Sequence, residues 1–347
     1  MASDNLTAVF CRGELRLENK PVPEPASDEV LIAIHSVGIC GSDIHCWKKG
    51  RICSITCEGP LILGHESSGT IVKVGDKVQN LKPGDRVCIE FGRPCKKCEF
   101  CKSGRYNLCE LTKFGAPFDG SFSQYYCQTA DFCFKLPDNV TLEEGSLIEP
   151  LAVAVHACRR AAVAAGKSVL ICGAGAIGLL NLLTCKAMGV TKICITDISE
   201  DRLKVAKKLG ASHQIYVKEK DTDSVLEDII SKLGGPPDIT IECCGAESSI
   251  RLSILVTKRG GVLILVGVGA PEIKLPIFDA SVREIDIRGV YRYTNCYPIA
   301  LELVAGGLVD VKPLITHHFK LQEVNKAFET AHSGADGAIK VLVHCSK

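Results

Sequence analysis

The chain has 347 residues, a net charge of +1 at pH 7 and 46% hydrophobic residues. This near-neutral mixture of charges gives no electrostatic case for binding nucleic acid or a membrane surface. No apolar run approaches the roughly 20 residues that cross a bilayer, and the length suggests about two domains in a soluble protein.

Short β-rich segments characterise residues 6–150. Runs such as 29–34 and 69–74 contain several Val and Ile residues, and turns with Gly, Pro and Asp, such as 82–85, separate them. The pattern favours a barrel-like β domain.

Two segments of this region combine metal-ligand side chains with glycines. They are 38–45, with the sequence GICGSDIH, and 64–69, with the sequence GHESSG. Together they offer a thiolate, an imidazole and a carboxylate. Three protein ligands with one open position are typical of a catalytic zinc site.

A short polar stretch carries four cysteines in the spacing C-x2-C-x2-C-x7-C. Four thiolates complete the tetrahedral coordination of zinc, so such a site contributes folding free energy rather than chemistry. An iron–sulfur cluster is an alternative, but the bacterial ferredoxin run ends C-x3-C-P, whereas Glu110 follows a longer gap here. Four free thiols are a second alternative, but buried structural thiols prefer apolar neighbours and this stretch is polar. The four residues are Cys95, Cys98, Cys101 and Cys109.

Residues 157–285 alternate apolar strands with longer amphipathic stretches, as in a parallel α/β sheet. A buried strand at 168–172 leads into Gly173-Ala174-Gly175-Ala176-Ile177-Gly178 and then a helix to about residue 188. In this context the glycines predict a dinucleotide site. Gly173 makes the tight turn, Gly175 lets the backbone approach a pyrophosphate, and Gly178 lets helix and strand pack closely.

Asp197 follows the next strand, 192–196, about 20 residues after the glycines. Its carboxylate accepts hydrogen bonds from both ribose hydroxyls but repels a 2′-phosphate, so the sequence predicts NAD rather than NADP. Arg202, one turn later, either flanks the adenosine or lies on a solvent-exposed helix face.

The motifs GICGSDIH, GHE, the four cysteines and GAGAIG occur in this order. The chain therefore resembles the zinc-dependent medium-chain dehydrogenases, in particular the sorbitol dehydrogenases, and the likeness runs nearly end to end. It implies an α/β protein, with a Rossmann doubly wound parallel sheet at 157–285. This sheet is inserted in a GroES-like, β-rich catalytic domain made of 1–156 and 286–347, with the cysteine lobe at about 93–110.

The resemblance makes Cys40, His65 and Glu66 the catalytic zinc ligands. Glu149 occupies the region where related alcohol dehydrogenases have a second ligating cysteine. It is either an outer carboxylate that holds a water or an alternative ligand that exchanges with Glu66. Ser42 and His45 match the proton relay of these enzymes. Glu149 acting through a water is a competing route, and His45 is otherwise an ordinary surface histidine.

The resemblance also implies contacts to cofactor and substrate. Those to the nicotinamide come from backbone around Val266, Gly267, Val268, Val290 and Tyr291. The residues expected at a polyol substrate are Cys46, Glu149, Arg292 and Tyr293. Two departures from the family fall near the substrate: Cys46 replaces a usual tyrosine, and the stretch 114–120 is short. The preferred polyol therefore stays open.

The implied reaction is the oxidation of sorbitol, or of a related polyol such as xylitol, to a 2-ketose with hydride transfer to NAD. The alternatives are a zinc dehydrogenase for threonine or a secondary alcohol, and a family member recruited to a non-enzymatic role. The resemblance also implies a homotetramer, and the four-cysteine lobe predicts two zinc ions per chain, since some sorbitol dehydrogenases lack the second. A cytoplasmic location is expected, because the N-terminus has no signal segment and a chain of this size needs no disulfides.

Overall fold

The structure is a computed structural model that describes residues 4–52, 55–57, 59–111 and 120–346. The chain divides into two compact units. The first comprises Met1–Glu149, Tyr297–Gly307 and Val311–Lys347, and the second Pro150–Cys296 and Leu308–Asp310. The predicted domain boundaries, after residue 156 and before residue 286, stay predictions.

The N-terminal part of the first unit is rich in short strands. Its elements are β1 Asp4–Cys11, β2 Glu14–Pro21, β3 Glu29–Gly38, α1 Gly41–Lys49, β4 Arg51–Ile52, β5 Ile55–Thr56, β6 Leu61–Ile62, β7 Glu66–Val74, β8 Arg86–Ile89, α2 Glu99–Lys102, β9 Tyr125–Thr129, β10 Cys133–Lys135 and α3 Leu142–Ser146. Helix α4, Ile148–Arg160, begins in the first unit and continues into the second.

The second unit alternates strands and helices. Its elements are β11 Ser168–Cys172, α5 Ala176–Ala187, β12 Lys192–Asp197, α6 Glu200–Lys208, β13 His213–Tyr216, α7 Thr222–Leu233, β14 Ile239–Glu242, α8 Glu247–Val256, β15 Val262–Leu265, α9 Ile277–Val282 and β16 Asp286–Gly289. The six strands form one parallel sheet in the order β13-β12-β11-β14-β15-β16. Because the order reverses between β11 and β14, the sheet is doubly wound, which confirms the predicted fold class.

The C-terminal part returns to the first unit as α10 Tyr297–Ala305, β17 Ile315–Lys320, α11 Val324–Ser333 and β18 Lys340–His344. Strand β18 pairs antiparallel with β3, and β17 pairs parallel with β18 at the edge of the sheet β10-β8-β7-β3-β18-β17. Both ends of the chain therefore share one sheet. The apolar core beneath it contains the fully buried Phe10, Ile32, Phe122 and Phe328.

No helix in the described part of the chain combines the length and the apolar character needed to cross a bilayer.

Candidate zinc and nucleotide sites

Three predicted zinc ligands meet where β3 ends and β7 begins. Cys40 is the N-cap residue of α1, His65 precedes β7, and Glu66 is its first residue. One ligand atom from each lies within 4.8 Å of the others. The pairing of Gly38 with Glu66 across β3 and β7 explains the glycine, because a Cβ at position 38 would collide with Glu66 Oε2. The thiolate, imidazole and carboxylate suit zinc with an open position.

Asp43 links two of these ligands, a role that the sequence analysis missed. It is buried and accepts hydrogen bonds from the backbone N–H groups of Cys40 at 3.0 Å and Gly64 at 3.2 Å, while its Oδ1 lies 3.5 Å from His65 Nδ1. Burial acts to lower the pKa of His65, but the charges of Asp43 and Cys40 outweigh it and raise that pKa well above its usual value. Asp43 therefore orients His65 through Nδ1 of the imidazole, which leaves Nε2 for a metal.

Lys340 on β18 is the second residue that sequence reasoning missed. Its ammonium donates to Glu66 Oε1 at 2.8 Å, to Glu66 Oε2 at 2.6 Å and to the backbone oxygen of Ile39 at 3.1 Å. Burial acts to lower the pKa of Lys340, but Glu66, Cys40 and Glu149 raise it, so the amine stays charged. A lysine within the apolar run 338–343 was the available signal, because a buried charge needs a partner.

Glu149 is 5% exposed and lies in the first turn of α4. Its effect on the pKa of Lys340 places it in the same group of charges as Glu66. Its role as an outer carboxylate or as an exchanging ligand stays a prediction.

Ser42 and His45 are half-buried on α1, three residues apart, and so lie on one face of the helix. Burial, and secondarily Lys49, lower the pKa of His45 below its usual 6.5, so the ring is neutral at pH 7 and able to accept a proton. The spacing suits the predicted relay.

The predicted substrate residues lie in three places. Cys46 is fully buried in the core of the first unit beside Cys57, and its contact with a substrate stays a prediction. Arg292, with φ 52°, and the buried Tyr293 follow β16 in the second unit. Of the short stretch 114–120, all but Gly120 lies outside the described residues.

The four cysteines of the lobe converge, with all Sγ atoms within 4.8 Å of one another. Cys95 Sγ accepts from the backbone N–H groups of Lys97 at 3.4 Å and Cys98 at 3.3 Å, and these bonds lower the pKa of Cys95. Cys95 Sγ is 3.9 Å from Cys101 Sγ, close to the separation of about 3.8 Å that tetrahedral Zn–S bonds of about 2.3 Å produce. The lobe therefore fits a closed metal site.

The glycine turn of the second unit joins β11 to α5. Gly173 has φ +100°, Gly175 is the N-cap of α5, and a Cβ at Gly178 would collide with the backbone oxygen of Gly173. Ile177 lies in the first turn of α5. The helix N-terminus thus offers N–H groups and the positive end of its dipole to an anion.

Asp197 ends β12 beside this turn. Its Oδ2 accepts from Ala174 N at 2.6 Å and its Oδ1 from Ser199 N at 2.8 Å, and each oxygen has capacity for a further donor such as a ribose hydroxyl. Arg202 Nη1 lies 4.0 Å from the Cβ position of Gly175, so its charge is next to the glycine turn.

The remaining predicted cofactor residues lie at the carboxyl ends of neighbouring parallel strands, the edge at which such sheets bind ligands. Val266, Gly267 and Val268 follow β15, and Val290 and Tyr291 follow β16. Glu242, which sequence reasoning missed, organises the adjoining loop, because its carboxylate accepts from the N–H groups of Cys244 and Gly245 and from the Ser249 hydroxyl.

Two family models match the chain. The alcohol dehydrogenase GroES-like domain matches residues 26–138, and the zinc-binding dehydrogenase domain matches 176–306. Sorbitol dehydrogenase of Bos taurus is 50% identical over 335 residues, or 96% of this chain and 94% of that protein. That of Gallus gallus is 49% identical over 344 residues, or 98% and 96%. A crystal structure of an Escherichia coli oxidoreductase/dehydrogenase of unknown specificity matches with a TM-score of 0.92 and 36% identity, covering 99% of this chain and 100% of that one.

Proposed function

Because the chain belongs to the zinc-binding dehydrogenases with an alcohol dehydrogenase GroES-like domain, we propose that it oxidises a polyol to a 2-ketose. Sorbitol is the first candidate substrate and xylitol a related one. The secondary alcohol loses a hydride to NAD and a proton to solvent, giving the ketone, NADH and H⁺. The observation that carries the proposal is the convergence of Cys40, His65 and Glu66 within 4.8 Å.

A zinc ion held by these three residues would supply the Lewis acidity that lowers the pKa of an alcohol hydroxyl, as it lowers that of water from about 16 to about 7. The chain's own residues prepare this site. Asp43 orients His65, and Lys340 holds Glu66 in place through hydrogen bonds to both carboxylate oxygens.

The proton of the alcohol needs a path to solvent. We assign it to Ser42 and His45, whose spacing on α1 and whose neutral imidazole at pH 7 support a relay. Glu149 acting through a water is the competing route.

NAD is the proposed hydride acceptor. The buried carboxylate of Asp197 beside the glycine turn provides acceptors for ribose hydroxyls and opposes a 2′-phosphate. The nearby Arg202 is the residue that would weaken this selection.

A substrate panel tests the proposal. The rate of NADH formation at 340 nm is measured with sorbitol, xylitol, threonine and 2-propanol under matched conditions. We expect the two polyols to give the highest kcat/KM. A higher kcat/KM for threonine or 2-propanol would replace the polyol assignment with another zinc dehydrogenase activity. If Arg292→Ala lowered kcat/KM equally for all four substrates, polyol recognition by Arg292 would lose its support.

A homotetramer in the cytoplasm is part of the proposal. Helix α9 exposes Ile277, Phe278 and Val282, at 52%, 81% and 54%, and β16 exposes Ile287 at 38%, which supports burial in an assembly. No disulfide joins the cysteines in the described ranges, as suits a reducing compartment. Light scattering of the purified protein measures the assembly, and a monomeric mass would contradict it.

A further inference from the structure

A cluster of ionisable side chains in the first unit lies outside the sites described above. It consists of Glu143 on α3, His318 on β17 and His344 on β18, with ligand atoms within 4.8 Å of one another. Glu143 Oε1 is 3.5 Å from His318 Nδ1 and 3.5 Å from His344 Nε2, and these two nitrogens are 3.0 Å apart. Three elements distant in sequence thus bring one carboxylate oxygen and two imidazole nitrogens together.

The strand register explains why the two histidines meet. His318 pairs with Leu342 across the parallel strands β17 and β18, and His344 is two residues further along β18. Side chains two residues apart in a strand point to the same face of a sheet. Both imidazoles therefore lie on one face, where Glu143 contacts them.

Hydrogen bonds on the far side of His344 allow the tautomer that a metal needs. Ser36 Oγ lies 3.2 Å from His344 Nδ1 and 2.7 Å from His35 Nδ1. When Ser36 donates its hydroxyl proton to His35, its oxygen accepts the Nδ1–H of His344, which leaves the lone pair of His344 Nε2 in the cluster. Metal-binding histidines have their second ring nitrogen hydrogen-bonded in this way.

The separations suit a small divalent cation. With metal–ligand bonds of about 2.0–2.2 Å, neighbouring ligand atoms lie about 3.0–3.5 Å apart at octahedral to tetrahedral angles. The observed separations of 3.0, 3.5 and 3.5 Å fall in this range. Without a cation, one of the two facing nitrogens, 3.0 Å apart, donates a hydrogen bond to the other, and a cation displaces that proton.

We propose that Glu143, His318 and His344 form a third metal site, which binds Zn²⁺ and leaves its remaining coordination to water. Two imidazoles and one carboxylate favour a transition cation over Ca²⁺ or Mg²⁺, which take oxygen ligands. The side chains of His318 and Glu143 are 47% and 38% exposed, so the ion enters from solvent. Once bound, it joins α3 to the edge strand β17 and to its neighbour β18 and stabilises the folded unit.

Calorimetric titration of the dialysed, zinc-containing protein with Zn²⁺ tests the site. The chain has 20 cysteines, so the measured quantity is the difference between wild type and variants rather than the total uptake. We expect one binding event in wild type that His318→Gln and Glu143→Gln each weaken by more than about tenfold, the least that losing an outer partner costs. His317→Gln, one residue away on β17, is the matched control and binds as wild type does.

A second measurement protects the test against misfolding. Added Zn²⁺ raises the thermal unfolding midpoint of wild type and of His317→Gln but not that of His318→Gln, whose midpoint without added metal matches wild type. Uptake by His318→Gln with wild-type affinity, or wild-type protein that binds no further Zn²⁺, overturns the proposal.

Discussion

Lys340 Nζ lies 2.8 Å from Glu66 Oε1 and 2.6 Å from Oε2, with the lysine side chain 4% and the glutamate side chain 1% exposed. Removing one partner of such a pair leaves a buried charge without compensation, which costs about 3–5 kcal/mol. Lys340→Met should therefore lower the free energy of unfolding by about this amount and weaken zinc retention. Chemical denaturation and metal analysis after dialysis measure the two effects.

The matched control is Lys312→Met. Its ammonium lies 3.4 Å from Glu144 Oε1, but the lysine side chain is 64% exposed, so the loss should stay below about 1 kcal/mol. Equal losses for the two variants would show that the buried pair does not stabilise the site.

We expect Asp197 to control the choice of nucleotide through its charge. Asp197→Asn keeps an acceptor for Ala174 N–H but removes the like-charge repulsion of a 2′-phosphate. The preference for NAD over NADP in kcat/KM should fall by on the order of tenfold or more. Asp201→Asn, an exposed acid on α6, should leave the preference unchanged. A variant at 197 with an undiminished preference would assign the selection to other residues.

Protonation of His45 should cause the fall in kcat at low pH, the acid limb of the rate profile. Burial, together with Lys49, lowers its pKa below 6.5, so the neutral, proton-accepting ring persists below pH 6.5 and is lost as the pH falls through the lowered value. His45→Gln should reduce kcat at pH 7 by on the order of tenfold to a hundredfold and remove that limb. Steady-state rates between roughly pH 5 and pH 8, where folded proteins tend to be most stable, measure both effects. His317→Gln is the control. An unchanged profile would favour the Glu149 route.

Asp238 should stabilise the second unit in a pH-dependent way. Burial acts to raise its pKa, but bonds from Lys258 at 2.8 Å and from Ser168 N and Oγ, each at 3.0 Å, lower it from 3.8 to about 2. Because the folded pKa lies below the unfolded one, the contribution is complete above pH 3.8 and disappears as the pH falls through about 2.

Asp238→Asn should therefore cost about 1 kcal/mol at pH 7, after allowance for solvent screening. The difference from wild type should vanish near pH 2, whereas Asp201→Asn should show no measurable difference at either pH. Urea unfolding at the two pH values measures this. A loss at Asp238 that does not change with pH would assign the effect to packing.

Local sequence patterns were enough to predict much of the fold and many of the site residues. The strand predicted at 168–172 has these bounds in the structure, and the glycine turn lies at its end, because both depend on neighbouring residues. The spacing of the four cysteines was likewise informative, because all four lie in one short segment whose Sγ atoms converge. Features that depend on neighbouring residues can be predicted from sequence.

Tertiary pairing accounts for what sequence reasoning missed. Lys340 meets Glu66 only because β18 pairs with β3, which in turn pairs with β7. The two residues are 274 positions apart in sequence. Cys46 is packed in the core of the first unit, in contacts that one substitution in a motif does not reveal. Glu143, His318 and His344 likewise converge only through the sheet register.

We expect chemistry to depend on the Cys40 site and stability to depend on the four-cysteine lobe. Parallel measurements of zinc content, thermal unfolding and NADH formation from sorbitol in wild type, Cys40→Ser and Cys95→Ser separate the two roles. We expect Cys40→Ser to lose turnover while it keeps its unfolding midpoint, and Cys95→Ser to lose one zinc ion and thermal stability before it loses turnover. Wild-type turnover by Cys40→Ser would show that the reaction does not depend on this site.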